Sequence, residues 1–237
     1  MEYYQYVELF LNIEDGLLAY IRQLEYSEKS RNIYSPRLSL LLLQTCPLIE
    51  SYMVRLATKS NTVQAHEIYN WKFNWKIWDK EKAEEKVKEK DGIRSISKFP
   101  KFAYVCEKVF KISEKRVRFY FSNRFQKLPN NISAQSFYPY KTLNKFDDYK
   151  KYDGKTKQFP VGLETPKWWT AYNKIKHSFG DEAQARVTYE RIIEGLAGLL
   201  LILSYCDVDT TVLRDNGYMS EKNLIKTQLF EADTSSV

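Results

Sequence analysis

The longest apolar run in the chain extends from Gly195 to Tyr205, and it limits what the protein can fold into. The run is far shorter than the roughly 20 residues that a transmembrane helix requires. Its apolar residues continue a helical pattern that begins near Glu182 and covers a broad face. Two glycines, Gly195 and Gly198, would let another helix approach closely. We therefore expect a buried helix at about 182–205 that packs against other helices.

Three further segments carry helical signals. Apolar residues recur with helical spacing in two N-terminal segments, and the second of these opens with an N-cap serine followed by proline, Ser35-Pro36. Thr165-Pro166 repeats this signal before another helical segment. We predict a mainly α fold in which residues 1–237 form a single domain. The core is an up-and-down helical bundle with helices at about 3–24, 36–57, 166–179 and 182–205.

The middle of the chain is less regular. Aromatic residues between positions 69 and 78 alternate as in a strand, and the charged run at 79–90 favours an exposed, ion-paired helix. We predict an irregular insertion rich in lysine and tyrosine at about 91–165. A strand-like stretch at 116–121 indicates that this insertion contains a short β-hairpin. Near the C-terminus, a weak helix is expected around 221–230.

The charge of the chain favours a polyanionic partner. The formal net charge is +7 and the pI is near 9.0, which is typical of proteins that bind RNA, DNA or an anionic surface. An AT-rich genome would give the same excess of lysine. The N-terminus lacks a basic region followed by an apolar segment, so we expect a cytoplasmic protein without a membrane span. Three widely spaced cysteines, Cys46, Cys106 and Cys206, indicate reduced, packed thiols.

The sequence lacks the common motifs of metal and nucleotide sites. His66-Glu67 begins like a zinc-protease motif, but Asn70 occupies the position of the second ligand. With two histidines and dispersed cysteines, no metal-ligand cluster has an acceptable spacing. A glycine-rich phosphate loop is also missing. We therefore expect neither a metal nor a cofactor.

The segment at 166–179 concentrates aromatic and polar side chains more densely than any other part of the chain. One stripe of the predicted helix should face the core: Trp168, Tyr172, Ile175 and Phe179. Asn173 and His177 are one turn apart and lie side by side on another face, with Trp169 and Lys176 beside them. Packing alone does not require an amide, an ammonium group and an imidazole together. This face is therefore the candidate functional site.

Two predicted N-terminal helices are followed later in the chain by Trp168-Trp169, Tyr172-Asn173 and Lys176-His177. A long apolar helix comes directly after these residues. This arrangement resembles the HEPN-like all-α domains of prokaryotes. The resemblance covers the first two helices and residues 166–206. Members of this superfamily are helical bundles, often dimeric, and many are metal-independent ribonucleases of toxin–antitoxin or antiviral systems. The resemblance therefore implies a homodimer, RNA as the substrate, and an antitoxin or nucleotidyltransferase as a partner protein.

The family motif is an arginine, a polar residue, three variable positions and a histidine. The same register here reads Tyr172-Asn173-Lys174-Ile175-Lys176-His177. The resemblance implies that His177, with Asn173 beside it, forms the catalytic site, and that the histidine handles protons during attack by the RNA 2′-hydroxyl. Tyr172 takes the place of the phosphate-binding arginine, although it has neither the charge nor the bidentate fork of a guanidinium group. Substrate binding is assigned to Lys176, Trp169 and Tyr172, with Trp169 offering its ring to a base.

Other interpretations of the same residues stay open. Asn173 and His177 could form a structural hydrogen bond between helices, and the protein would then be a catalytically inactive dimerisation or partner-binding module. The segments 71–76 and 116–124 combine aromatic and basic residues, as single-strand-binding surfaces do. The alternative for these two segments is that their aromatic residues close a small core while the basic residues stay in solvent.

Overall fold

A computed structural model describes the predicted core helices and parts of the remaining chain. The described residues are 1–59, 72–74, 106–107, 110–120, 134–145, 151–152, 156–158, 164–205, 214–215, 217–219 and 225–232. The charged run at 79–90, most of the predicted insertion at 91–165, and Cys206 lie outside them.

The described part of the chain is mainly α. Its helices are α1 (Tyr3–Ile21), α2 (Pro36–Lys59), α3 (Lys167–His177), α4 (Asp181–Gln184) and α5 (Tyr189–Tyr205). The helices predicted at 3–24, 36–57 and 166–179 are present, with ends that differ by up to three residues. Ser35 caps α2 as predicted, since its Oγ accepts a hydrogen bond from the Leu38 amide at 3.2 Å. None of the described helices is both long enough and apolar enough to cross a membrane.

The helix predicted at 182–205 is instead two helices, α4 and α5. The first amides of α5 donate to the loop that precedes α2, with Tyr189 bonded to the Ile33 carbonyl at 2.8 Å and Glu190 to the Arg31 carbonyl at 3.0 Å. These bonds replace the intrahelical bonds that an uninterrupted helix would make. The prediction of one continuous helix is therefore wrong, because a distant segment of the chain satisfies the backbone at the break.

The central element of the core is α5. It contacts α1, α2 and α3, and α2 also contacts α1 and α3. Every residue from Gly195 to Leu203 is buried. A Cβ atom at Gly195 would lie 3.1 Å from a Leu42 methyl group, and one at Gly198 would lie 3.3 Å from the Trp168 ring. The predicted close approach of neighbouring elements at these two glycines is confirmed.

Six short strands complete the described structure. They are β1 (Lys72–Asn74), β2 (Val117–Tyr120), β3 (Ala134–Phe137), β4 (Lys151–Tyr152), β5 (Thr156–Gln158) and β6 (Phe230–Ala232). One sheet has the order β3-β2-β6 with antiparallel pairs, and the other has the order β1-β5-β4. The strand predicted at 116–121 is thus confirmed as β2, which pairs with β3. The helix predicted at 221–230 is wrong for residues 225–230, because this segment turns and then pairs with β2 as β6.

The β2–β3 part of the predicted insertion belongs to the main core. Val117 and Phe119 of β2, together with Phe137 of β3, are buried in the same apolar cluster as the helices. Both β2 and β6 pack against α5. This sheet therefore covers a face of α5 that the other helices leave open, and it is part of the main core.

Candidate functional site

The helix α3 is fixed by the residues on its inner side. Trp168 is 1% exposed, and its indole N–H donates to the Pro139 carbonyl at 3.1 Å. Its ring meets Tyr140 and Trp169 edge to face, with centroids 5.7 and 5.6 Å apart. Ile175 is buried as well. These contacts hold the helix against α5 and the segment after β3, so the orientation of its outer residues is determined by packing.

Asn173 and His177 lie exposed on the outer side of α3. Among the residues that the structure describes, neither side chain makes a hydrogen bond or an ion pair. Lys174 is exposed between them along the chain, and Lys167 is exposed at the start of the helix. The outer side of α3 therefore presents an amide, an imidazole and two cations to solvent, without a partner in the described chain for the first two groups.

The helix ends at His177, and this changes the position of Phe179. Ser178 adopts an extended conformation as the C-cap, with φ −155° and ψ 101°. Phe179 follows it and is 49% exposed. The prediction that Phe179 joins the buried stripe is wrong, because the stripe continues only as long as the helix does.

Lys176 turns away from the polar pair and binds Glu50 of α2. Its Nζ donates to Glu50 Oε1 at 3.0 Å and to Oε2 at 3.3 Å. The Tyr172 hydroxyl donates to Glu50 Oε2 at 3.3 Å, and the ammonium group lies 5.1 Å from the centre of the Tyr172 ring. Glu50 is the residue of this site that the sequence reasoning missed. It lies more than 120 positions away in the chain, and no local pattern links it to α3.

The electrostatics of this contact agree with its geometry. Partial burial lowers the pKa of Lys176, but the contacts with Glu50 and Tyr172 outweigh it and the net shift is upward. Burial raises the pKa of Tyr172, and the negative charge of Glu50 adds to this. The lysine is thus held charged and the tyrosine is held neutral, which suits a structural ion pair between α2 and α3.

Two of the five predicted site residues are buried. Tyr172 is 2% exposed and its hydroxyl is bonded to Glu50, so it takes part in the core and does not face solvent. Trp169 is 3% exposed, and its ring packs against Trp168 and Tyr172. Neither ring is available to a base in this structure. The helix lies between α2 and α5, and its buried arc is therefore wider than the single stripe that the sequence pattern indicates.

The thiols and possible metal ligands do not add to this site. Cys46 is fully buried close to Glu50, and burial raises its pKa well above the usual value. Cys46 and Cys106 are both buried, as predicted for packed thiols. In the described ranges, no group of three or more histidine, cysteine or acidic side chains is placed to hold a metal ion.

No protein-family model, curated protein or solved structure matches this chain. The role of the outer side of α3 is therefore inferred from its own chemistry.

Proposed function

We propose that this protein is a HEPN-like helical-bundle protein that binds RNA with the outer side of α3 and cleaves it without a metal ion. The observation that supports this most directly is the pair Asn173 and His177. They lie one turn apart, they are exposed, and within the described chain neither has a partner. The inner side of the same helix is fixed in the core, so this pair is held in a constant position at the surface.

The chemistry of this surface suits RNA cleavage. An imidazole can accept or donate a proton near neutral pH, as attack by the 2′-hydroxyl on the adjacent phosphate requires. The Asn173 amide can donate a hydrogen bond to a phosphate oxygen. Lys174 and Lys167 supply positive charge, and the net charge of +7 favours a polyanion. In a homodimer, two His177 side chains could serve as acid and base at one scissile bond.

Tyr172 occupies the position of the motif arginine, but in this chain it has a structural role. Tyr172 is buried against Glu50 and is not available to a phosphate at the surface. Exposed lysines therefore have to neutralise the phosphate of the RNA. A lysine binds phosphate as a point charge, without the fork of a guanidinium group. We therefore expect cleavage to be slower than at a site that has the motif arginine, and we expect little base specificity.

The test is cleavage of single-stranded RNA at low salt in the presence of a chelator. His177→Ala should lower the cleavage rate by about 100-fold or more, which is the usual contribution of general acid–base catalysis. His66→Ala is the matched control, since it removes the one other imidazole in the chain and should leave the rate unchanged. A substrate with a single 2′-deoxynucleotide should resist cleavage at that position. Wild-type protein that neither binds nor cleaves RNA at low salt would rule the proposal out.

The second candidate is a catalytically inactive cytoplasmic module that uses the same end of α3 to dimerise or to bind a partner protein, such as an antitoxin or a nucleotidyltransferase. The exposed ring of Phe179, two residues beyond His177, favours this function. Phe179→Ser should then convert a dimer to a monomer in light scattering and leave any RNA affinity unchanged. Under the ribonuclease proposal, the same variant should change oligomeric state and cleavage together.

A further inference from the structure

Glu14 is a buried carboxyl group of α1 that binds the C-terminal segment of the chain. It is 1% exposed. Its Oε1 accepts hydrogen bonds from the amides of Gln228 and Leu229 at 3.1 and 2.8 Å, and its Oε2 accepts from the Gln228 amide at 3.0 Å. The adjacent Asp15 accepts a hydrogen bond from the Gln228 side chain at 2.8 Å. Two neighbouring acids of α1 therefore bind the turn that precedes β6.

The same turn is connected to the sheet and to the core. The Leu229 carbonyl accepts a hydrogen bond from the Tyr120 amide of β2 at 2.8 Å. The next residue, Phe230, packs against Phe10 of α1 and Phe119 of β2, with ring centroids 6.3 and 5.3 Å apart. Release of this turn would uncover one edge of β2 and remove an aromatic ring from the core. Glu14 thus lies where the C-terminal segment, α1 and the sheet meet.

Few groups around Glu14 in the described structure can stabilise a negative charge on its carboxyl group. Asp15 is the adjacent charge on α1, and it repels a carboxylate at Glu14. In the C-terminal segment, Lys226 Nζ donates to the Gly217 carbonyl, and Glu231 is bonded to the Tyr120 hydroxyl. The helix α5, which packs against β6, buries only apolar residues and glycine from Gly195 to Leu203. Backbone amides are therefore the main groups that stabilise an ionised Glu14 within the described structure.

We propose that Glu14 is a protonation-dependent contact that docks residues 225–232 on α1 and weakens when the carboxyl group ionises. A neutral carboxyl group still accepts hydrogen bonds from the amides through its carbonyl oxygen and is buried at modest cost. A buried carboxylate carries a much larger desolvation cost. Docking is therefore strongest at acidic pH and weakest above neutral pH.

The pH range follows from linkage. Burial raises the pKa of Glu14 from 4.5 to about 7, against the opposing effect of the Gln228 and Leu229 amides. Because the pKa is higher in the docked state than in the released state, proton binding stabilises docking. This stabilisation is complete below pH 4.5 and is lost as the pH rises through 7. With these values, the equilibrium constant for release should rise about 30-fold between pH 5.5 and 8.

Native-state hydrogen exchange of the full-length chain tests this directly. Protection factors of the Gln228 and Leu229 amides, corrected for intrinsic exchange, should fall about 30-fold from pH 5.5 to 8. The Leu200 amide in the centre of α5 reports global unfolding, which also releases Glu14, so its protection should fall by a similar factor but stay well above that of Gln228 and Leu229 at each pH. In Glu14→Gln, which cannot titrate, the pH dependence at residues 228 and 229 should disappear. Glu182→Gln is the matched control, because it removes a surface carboxylate that is 91% exposed, and it should keep the wild-type pH dependence.

A second measurement keeps the test decisive if Glu14→Gln does not fold. The side-chain carboxyl carbon of Glu14 in the wild-type protein, followed by NMR, should titrate near pH 7, which is the pH above which the loss of protection levels off. Constant protection at residues 228 and 229 across this pH range would overturn the proposal. It would also be overturned by equal protection factors at Leu229 and Leu200 at pH 8, by an unchanged pH dependence in Glu14→Gln, or by a Glu14 carboxyl group that titrates near its ordinary pKa of 4.5.

Discussion

The substitution Glu50→Gln should release Lys176 for RNA at a small cost in stability. The carboxylate accepts two hydrogen bonds from Lys176 Nζ, at 3.0 and 3.3 Å, and one from the Tyr172 hydroxyl. A glutamine carbonyl can still accept the tyrosine hydrogen bond. What is lost is the ion pair, whose side chains are 41% and 26% exposed. Solvent screens a pair of this exposure, and we expect a loss of about 0.5 to 1 kcal/mol in the free energy of unfolding.

The effect on RNA affinity should have the opposite sign. Without Glu50, the ammonium group of Lys176 can turn toward a phosphate at the end of α3, next to His177. On a single-stranded nucleic acid, each additional phosphate contact steepens the dependence of log K on log salt by about 0.7. For one such contact, a fourfold rise in salt from 50 to 200 mM costs about 2.6-fold more affinity in the variant than in the wild type. Binding at 50 mM salt should be several-fold tighter than wild type.

Fluorescence anisotropy with a labelled single-stranded RNA, measured at several salt concentrations, gives both the affinity and the slope. Glu28→Gln is the matched control, since it removes the same charge from a surface residue that is 79% exposed and pairs with Arg31. The decisive comparison is Glu50→Gln in a Lys176→Met background. If the tighter binding persists in that background, or if the salt slope of Glu50→Gln equals that of the wild type, then Lys176 is not the group that is released and the reasoning is refuted.

Three further substitutions test how α3 is held in place, each by urea denaturation with an unchanged m-value. Gly198→Ala places a Cβ atom 3.3 Å from the Trp168 ring and 3.3 Å from the Tyr140 hydroxyl oxygen. Both side chains are fixed by hydrogen bonds, so overpacking should exceed the gain of about 1 kcal/mol in helix propensity, with a net loss of about 1 to 2 kcal/mol in the free energy of unfolding. Gly195→Ala meets a leucine methyl group that can move aside and should cost less than half as much, and equal losses would contradict this account. Trp168→Phe removes the donor to the buried Pro139 carbonyl and part of a core side chain. It should lower the free energy of unfolding by about 2 to 4 kcal/mol. A loss below about 1 kcal/mol would show that this hydrogen bond does not anchor the helix.

Local patterns predicted those features that depend on neighbours in the chain. Helical spacing gave the positions of α1, α2 and α3 to within three residues, and the Ser35-Pro36 signal marked a real N-terminus. The stripe of Trp168, Tyr172 and Ile175 is buried as its period indicates. Asn173 and His177 lie on the outer side of the same helix. Each of these features follows from the geometry of one helix, which the sequence encodes within a few turns.

Three of the wrong predictions share a different cause. Trp169 is buried because α3 lies between two helices, and a helical pattern alone does not reveal how many neighbours a helix has. The break before α5 depends on amide bonds to the loop at 31–33. The C-terminal residues form a strand because Glu14 and β2 offer partners to their backbone. In each case a contact between distant parts of the chain outweighed a local preference of a few tenths of a kilocalorie per residue.

The sequence by itself therefore determined a mainly α chain, the apolar run of its central helix, and the amide and imidazole that share one face of α3. The tertiary structure alone decided that Lys176 and Tyr172 bind Glu50, that Trp169 is buried beside Trp168, and that Glu14 holds the C-terminal segment. The physical reason is the range of the interactions. Periodicity and capping act within one or two turns, whereas burial and ion pairing join residues more than one hundred positions apart, and these depend on how the finished elements pack.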